Sequence, residues 1–316
     1  QQMKILIIGG VAGGATAATR LRRLSEENEV IIFEKGEHIS FANCGLPYHI
    51  GGVIADRDKL LLQTPTSLKT RYNLDVRIFN EVLKINKDQK TVEIRNLITK
   101  EIYTESYDKL LLSPGAEPFR PNIPGINLDK IMTLRNVADM DRIIVKTKKL
   151  KNIAVVGGGF IGLEVAENLV DIGLNVSVIE LGNQVMAPVD FEFAKMVQHH
   201  AAAKNLKIHV NTGVEAFEEK EDKIELKLNN GQTMLADAVI FAIGVKPENA
   251  LAKAAGLELG VTGGIAVNEF MQTSPPFSVR ALKSWSIIRV KISSSKSTSR
   301  CSRTLRRESE TKKHTM

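Results

Sequence analysis

The chain has 316 residues, a net charge of +7 and two cysteines, Cys44 and Cys301. No apolar run approaches the roughly 20 residues that a membrane span needs, and two cysteines do not make the disulfide framework of a secreted protein, so we predict a cytoplasmic protein. The length predicts two domains. The charge suggests a nucleic-acid partner, but 279–316 alone carries 11 Lys and Arg against 2 Asp and Glu, which leaves the preceding residues at −2.

The first predicted elements are a strand at 4–8, a helix over 12–24 and a strand at 29–33 that leads to Glu34. Both strands are short β-branched runs, which are typical of parallel strands buried on both faces. This strand–helix–strand unit is called the first module.

The same unit recurs about 148 residues later and is called the second module. Its elements are a strand at 152–156, a helix over 160–172 and a strand at 175–179 that leads to Glu180. We interpret the two modules as an internal repeat of a nucleotide-binding unit.

Further strands are predicted between and after the modules. They lie at 91–95, 101–103, 109–112, 223–228 and 238–242, the first two of them antiparallel. The sequence Asn229-Asn230-Gly231 is typical of a hairpin turn, and the Pro-rich stretch 118–124 is a candidate linker. Beyond Ser274 the periodicity stops, and the composition of 291–303, rich in Ser, Lys and Arg, predicts disorder.

The second module carries the motif G-x-G-x-x-G at Gly157–Gly162, between its first strand and its helix. The first glycine of this motif forms a tight turn, the second lets a pyrophosphate approach and the third lets helix and strand pack closely. The helix N-terminus offers free N–H groups to the phosphates. Glu180 can bind a ribose 2′-hydroxyl and would repel a 2′-phosphate. We predict a nicotinamide site that favours NADH, with NADPH as the alternative; a simple glycine-rich turn is the competing interpretation.

The first module carries the looser sequence Gly9-Gly10-Val11-Ala12-Gly13-Gly14, with Val11 at the middle glycine position. By itself this sequence is compatible with a dinucleotide site or with a structural turn. Its duplication of the second module favours a dinucleotide site. Two modules in one chain suggest two dinucleotides, one held permanently and one exchanging, and flavin plus nicotinamide is the usual pair.

Cys44 lies in Ser40-Phe41-Ala42-Asn43-Cys44-Gly45-Leu46-Pro47-Tyr48, called the cysteine segment. A lone cysteine is commonly a small buried hydrophobe, but Pro47 suits the first turn of a helix, and a helix N-terminus favours the reactive thiolate. The position five residues on is His49, so no resolving cysteine follows. We predict that Cys44 forms a mixed disulfide with a small thiol, or a sulfenic acid.

Together these features resemble the single-cysteine branch of the pyridine nucleotide-disulfide oxidoreductases, and within it coenzyme A-disulfide reductases and NADH-dependent persulfide or polysulfide reductases. The resemblance is carried by Ile8–Ala15, the cysteine segment, Tyr107–Ala116 and Val155–Glu164. It implies an α/β fold with two Rossmann-like domains of the glutathione-reductase type. The implied parts are an FAD-binding domain at 1–115, an NAD(P)H-binding domain at 116–243 and a partial return to the FAD domain at 244–278. The remaining residues, 279–316, form a basic tail that we predict to be disordered.

The resemblance also implies that electrons pass from NADH through FAD to Cys44 and on to a coenzyme A disulfide, persulfide or polysulfide. The implied cofactor contacts are Gly9, Gly10, Val11, Ala12, Gly13, Gly14, Glu34, Lys35, Val82, Ser113, Pro114, Gly115, Gly157, Gly159, Phe160, Ile161, Gly162, Glu164, Glu180 and Gly244. The implied contacts to the thiol substrate are Thr16, Arg20, Arg23, Ser40 and Asn43. A solvated helix face is the alternative interpretation of Arg20, Arg22 and Arg23. The histidines lack ligand spacing, and we predict no metal site.

The resemblance ends near Ser274. There the family has a final strand with a Gly-Asp pair that binds the flavin ribitol, and then a domain that forms a homodimer; here the chain continues as the basic tail. We expect a shifted reading frame or a truncated gene, loss of the final strand and the dimerisation domain, weak flavin retention and impaired activity. The expected partner is a small thiol or disulfide, with neither nucleic acid nor membrane.

Two alternative functions remain open. The first is an NADH oxidase or peroxidase that uses Cys44 as a sulfenic acid. The second is a non-catalytic, truncated binding protein whose basic tail contacts nucleic acid or an anionic membrane. The tail has Trp285 as its one aromatic residue and no recognised motif, which disfavours the second.

Overall fold

A computed structural model describes residues 2–274 and 279–281. The helices of this part are α1 (Ala12–Leu24), α2 (Leu46–Ile50), α3 (Pro65–Tyr72), α4 (Val137–Thr147), α5 (Phe160–Asp171), α6 (Phe191–Ala203) and α7 (Ala250–Ala254). Its strands are β1 (Lys4–Ile8), β2 (Glu29–Glu34), β3 (Asp75–Ile78), β4 (Asn80–Asn86), β5 (Thr91–Asn96), β6 (Ile102–Ser106), β7 (Lys109–Leu112), β8 (Ala116–Pro118), β9 (Ile131–Met132), β10 (Asn152–Val156), β11 (Asn175–Ile179), β12 (Lys207–His209), β13 (Val214–Lys220), β14 (Lys223–Leu228), β15 (Thr233–Ala236), β16 (Ala238–Phe241), β17 (Val245–Pro247) and β18 (Val279–Ala281). Within these residues, no helix combines the length and apolar character needed to cross a membrane.

The first sheet has the order β18-β7-β1-β2-β3, and its strands are all parallel. It is buried on both faces, because Leu6 of β1 packs toward the antiparallel sheet β4-β5-β6 while Ile7 packs toward α1 and α3. The predicted first module, and the antiparallel strands that follow it, are confirmed.

The second sheet, β12-β11-β10-β16-β9, is also parallel. Helices α4 and α5 cover one face, and the antiparallel sheet β13-β14-β15 covers the other. The predicted hairpin at Asn229–Gly231 joins β14 to β15, with Gly231 at φ +77°. The α/β fold with two Rossmann-like units is thereby confirmed, and α5 ends at Asp171, one residue before the predicted end.

A two-stranded ribbon connects the two sheets. Strand β8 leaves the first sheet, and β17 returns antiparallel to it, with Val245 opposite Pro118. Gly115 and Gly244 stand beside the ribbon at φ +75° and +123°, in the region that favours glycine. After the ribbon, α7 packs beside β4, so the chain has returned to the first sheet.

The expected loss of a final strand, and of order from Val279 onward, is wrong for three residues. Val279–Ala281 forms β18, parallel to β7. Val279 and Ala281 are buried in the core of the first sheet, whereas Arg280 points outward and donates to Phe270 O at 2.7 Å. Three alternating residues are too few to be read from periodicity. The rest of the predicted tail, and the Pro275–Ser278 break, lie outside the described residues.

A partly buried cluster of charged side chains links the start of β1 to β6. Glu105 accepts hydrogen bonds from Lys4 Nζ at 2.6 Å and from Arg77 Nη1 at 2.7 Å. Burial opposes the ionisation of Glu105, but these hydrogen bonds outweigh it and lower the pKa of its carboxyl. A lowered folded-state pKa stabilises the fold above the unfolded pKa, about 4.3 for glutamate, and this stabilisation is lost as pH falls through the folded pKa.

We therefore expect the free energy of unfolding to fall as pH drops from about 5 to about 2, and to fall less steeply in Glu105→Gln. Urea unfolding at a series of pH values measures this. The control is Glu101→Gln, an exposed carboxylate beside the same strand, which should leave the slope unchanged. Equal slopes in Glu105→Gln and the unaltered protein would contradict the expectation.

Candidate functional site

The two glycine-rich loops are built alike, atom for atom. Gly9 N donates to Phe33 O and Gly157 N donates to Ile179 O, both at 2.8 Å. Each of these glycines has a positive φ, +93° at Gly9 and +108° at Gly157. Both loops therefore turn sharply at the carboxyl end of a central parallel strand, where α/β proteins bind dinucleotides.

The first and last glycines of each loop are required for space. A Cβ on Gly14 would lie 2.9 Å from Gly9 C, and one on Gly162 would lie 3.1 Å from Gly157 C, with the carbonyl oxygens closer still. Because these neighbours are backbone, they cannot move aside. A Cβ on Gly159, in contrast, would meet nothing within 4 Å. Open space thus lies in front of the start of α5, where a pyrophosphate would approach.

The acidic strand ends brace both loops. Glu34 accepts from Gly10 N and Gly36 N, each at 2.8 Å. Glu180 accepts from Gly158 N at 2.7 Å and from Gly182 N at 2.6 Å. A carboxylate fixed in this way still has free lone pairs that can accept from ribose hydroxyls, so both predicted sites retain their acidic group in position.

Val11 takes the middle glycine position of the first loop. It is the N-cap of α1, as Gly159 is the N-cap of α5. Neither helix has a side-chain cap or an acidic residue in its first turn. Their first N–H groups are therefore available to an anion, and the residues present fit two dinucleotides.

The other predicted cofactor residues surround these loops. Ser113 N donates to Ile8 O at 2.8 Å, and a Cβ on Gly9 would lie 2.8 Å from Ser113 C, so Ser113–Gly115 borders the first loop. Lys35 follows Glu34 and forms an ion pair with Glu117 at 3.3 Å. Val82 lies beside a register shift in β4, an edge strand. The contacts of all these residues with a cofactor stay predictions.

The cysteine segment is fastened to the first loop. Ser40 N donates to Gly10 O at 3.0 Å, and Ala42 N donates to Leu60 O at 2.8 Å. Asn43–Gly45 forms a single 3-10 turn that leads into α2, with Pro47 in the first turn of that helix as predicted. Cys44 is exposed and in no disulfide. The predicted nucleophile is therefore open to a small molecule, and its segment is bonded to the loop predicted to hold the flavin.

Helix α2 packs against α5, which brings the cysteine segment next to the second module. The negative charge of Glu164 on α5 raises the pKa of Tyr48 on α2, followed by burial and by the charges of Glu167 and Cys44. Burial, and then the charge of Glu167, raise the pKa of Glu164. Four ionisable groups from the two modules thus lie within electrostatic range of one another.

Three of the predicted substrate residues share one face of α1. Thr16, Arg20 and Arg23 are all exposed, at a spacing of about one helical turn. The other two, Ser40 and Asn43, lie within the cysteine segment. These five side chains stay candidates for contact with a thiol substrate.

Arg22 is not part of a solvated face. It is 8% exposed, and its guanidinium donates to Tyr72 O at 2.9 Å, Asn73 O at 3.0 Å and Ser25 O at 3.3 Å. It thereby satisfies carbonyls at the C-terminal ends of α1 and α3. The row of arginines therefore divides into one structural and two exposed side chains.

Replacing Arg22 with leucine should lower the free energy of unfolding by about 3 kcal/mol, because several carbonyls lose a charged donor. Urea unfolding measures the loss. Arg20→Ala and Arg23→Ala are matched controls, since exposed positions change stability by only about 0.5 kcal/mol. Similar losses in all three variants would contradict the division.

The contact between α2 and α5 was not predicted from the sequence. It involves Gly51 and Asn168, neither of which belongs to a known motif. A signal was present in α5, where the polar residues Glu164, Glu167, Asn168 and Asp171 recur at spacings of three and four residues. Residues at such spacings share one face of a helix, so this face differs from the apolar face that packs on the second sheet.

Comparisons with known proteins agree with this arrangement. Residues 3–277 match the family described as pyridine nucleotide-disulphide oxidoreductase. Coenzyme A disulfide reductase of Staphylococcus aureus (strain JH9) is 35% identical over 275 residues, 86% of this chain and 61% of that protein. This chain thus spans about three-fifths of the length of the curated relatives it matches.

Solved structures give the same picture. Reduced Bacillus anthracis CoADR-RHD is 51% identical, with a TM-score of 0.86 over 89% of this chain and 51% of that one. An NAD-dependent persulfide reductase from A. fulgidus is 35% identical, with a TM-score of 0.84 over 88% of this chain and 52% of that one.

Proposed function

Since the chain belongs to the pyridine nucleotide-disulphide oxidoreductase family, we propose that it is a flavoprotein that passes electrons from NADH through FAD to Cys44 and on to a coenzyme A disulfide, a persulfide or a polysulfide. One observation carries this proposal. Exposed Cys44 lies on a segment hydrogen-bonded to the first glycine-rich loop and packed, through α2, against the helix that begins at the second.

The two glycine-rich loops would hold the cofactors. Backbone N–H groups at the starts of α1 and α5 would bind the pyrophosphates, and Glu34 and Glu180 would accept from ribose hydroxyls. When bound, FAD supplies the two-electron chemistry that links hydride donation by NADH to the reduction of sulfur. The fixed carboxylate of Glu180 would repel the 2′-phosphate of NADPH, which favours NADH.

Cys44 carries the sulfur chemistry. Its thiolate attacks one sulfur of a disulfide RS–SR′, so that a bond from Sγ to SR forms while the RS–SR′ bond breaks. The leaving R′S⁻ departs and takes a proton from water. Two electrons then cleave the mixed disulfide, which regenerates the Cys44 thiolate and releases RS⁻. Exposed Arg20 and Arg23 suit a substrate that bears phosphate groups.

The visible spectrum of the FAD-loaded protein tests the proposal. Flavin absorbance should bleach on adding NADH, more readily than on adding NADPH, and recover on adding coenzyme A disulfide or polysulfide. Flavin that NADH fails to bleach would contradict the electron path. Bleached flavin that recovers with oxygen or peroxide alone would contradict the acceptor.

An NADH oxidase or peroxidase is the second candidate. It is supported by the exposure of Cys44 and by the absence of another cysteine in the described residues, because an unpaired thiolate can be oxidised to a sulfenic acid. Turnover of NADH on coenzyme A disulfide, polysulfide, peroxide and oxygen, compared side by side, separates the two functions.

A further inference from the structure

The segment that follows Cys44 is packed on the second module. Leu46 and Ile50 of α2, together with Leu60, are buried in the same core as residues of α4, α5 and the second sheet. Helix α2, which follows Cys44, thus packs on α5, the helix that begins at the predicted nicotinamide site. We call the contact between α2 and α5 the seam.

Gly51, the C-cap of α2, faces Asn168 of α5 across the seam. Gly51 has φ −77° and ψ −3°, a conformation that any residue adopts, so its backbone does not require glycine. Space does, because a Cβ at this position would lie 2.8 Å from both Cβ and Cγ of Asn168, and closer to its Oδ1. The distance between α2 and α5 therefore requires a residue without a side chain at position 51.

Asn168 is an unusual residue for such a contact. It is 1% exposed, and its Nδ2 donates to Glu164 O, one turn earlier in α5, at 2.7 Å. Among the described residues its Oδ1 has no hydrogen-bond partner, which costs about 1–3 kcal/mol in a buried amide. A leucine of similar size would avoid this cost. The amide is thus better explained by a requirement on position than by stability.

An ion pair beside the seam also holds the segment after α2 against the second module. Arg57, in the 3-10 turn Arg57–Leu60, binds Asp141 of α4 through Nη2 at 2.7 Å and through Nε at 3.1 Å. This bidentate pair and the apolar core oppose sliding of α2 along the second module. The contact at Gly51 then sets the separation.

We propose that Gly51 and Asn168 are positioning residues for hydride transfer: their contact sets the distance between the nicotinamide held by the second module and the flavin held by the first. This inference rests on the proposed function. The cysteine segment is hydrogen-bonded to the first glycine-rich loop through Ser40 N and Gly10 O, so we expect the seam to affect the distance between Cys44 and the flavin less than the distance between the flavin and the nicotinamide. A misplacement of about 1 Å between reacting groups can slow a reaction by about a hundredfold, so the seam should control one step and spare the other.

The test is Gly51→Ala in the FAD-loaded protein. Flavin reduction by NADH, followed by stopped flow, should slow about tenfold or more. The dissociation constants of FAD and of NAD⁺, measured by calorimetry, should stay unchanged, as should the rate at which dithionite-reduced protein reduces a disulfide. The double variant Gly51→Ala, Asn168→Gly removes every Asn168 atom that the added methyl group would meet, its Cβ included, and should restore the NADH rate.

Matched variants separate positioning from damage to the fold. In Gly52→Ala the Cβ would meet nothing within 4 Å, so it perturbs the same turn at φ +77° without displacing α5 and should keep the NADH rate. If Gly51→Ala does not fold, Asn168→Gln applies the same wedge from the other side. An unaltered protein whose flavin NADH does not reduce would overturn the proposed function. A normal rate in Gly51→Ala, or no rescue in the double variant, would overturn the positioning role alone.

Discussion

Replacing Cys44 with serine should lower the reduction of disulfides by at least about a thousandfold, because loss of the nucleophile removes the whole covalent pathway. A serine hydroxyl neither ionises near neutral pH nor forms a mixed disulfide. Turnover of NADH with coenzyme A disulfide as the acceptor measures the loss. The bleaching of flavin by NADH should persist, because that step precedes the thiol.

The chain offers a matched control in its other cysteine. Cys301→Ser removes a thiol of the same kind at a position outside every predicted motif and should retain full turnover. Normal turnover of NADH in Cys44→Ser would contradict the assignment of Cys44 as the nucleophile. Loss of turnover in Cys301→Ser would implicate a second thiol.

Alanine at Gly162 should destabilise the second module by about 3 kcal/mol or prevent folding, because the added methyl group would meet the backbone of Gly157. Alanine at Gly159 should fold normally, because its Cβ enters open space. It should nevertheless weaken NADH binding about tenfold, since the methyl group occupies the approach of the pyrophosphate. Urea unfolding and calorimetric titration with NADH measure the two effects separately.

The contrast within one loop is the decisive feature of this pair. Two variants three residues apart should fail in different assays, Gly162→Ala in stability and Gly159→Ala in binding. If Gly159→Ala bound NADH normally, the open space in front of α5 would not be the dinucleotide site.

The modules could be predicted from sequence because their determinants are local. A β-branched run, a glycine loop and an acidic strand end occur within about 30 residues, and each constrains the next through a short-range contact. The bounds of β1, α1 and β10 match the predicted ones for this reason. The cysteine segment was recognisable because its small and proline residues lie together in the chain.

The seam could not be predicted, because it joins residues more than a hundred positions apart. Nothing near Gly51 indicates that its partner is Asn168, and its backbone conformation is ordinary. The starts of α3 and α4 carry capping boxes, Thr64 with Ser67 and Asn136 with Asp139. These two helices were not predicted, although a capping box is a local signal for a helix start. Arg22 looked like its neighbours because only burial distinguishes it.

The ribbon of β8 and β17 makes residues 119–244, which contain the second module, an exchangeable domain. Since Val245 lies opposite Pro118, the chain enters and leaves 119–244 at adjacent points, and a foreign dinucleotide-binding domain whose own ends are adjacent could be spliced in there. Adjacent ends would not be enough for the replacement domain to fit. It must also offer an apolar surface to Leu46 and Ile50 and a side chain that leaves room for close contact with Gly51. Exchange of coenzyme preference by whole-domain grafting is therefore limited by the fit against α2, and the ribbon itself imposes little restriction.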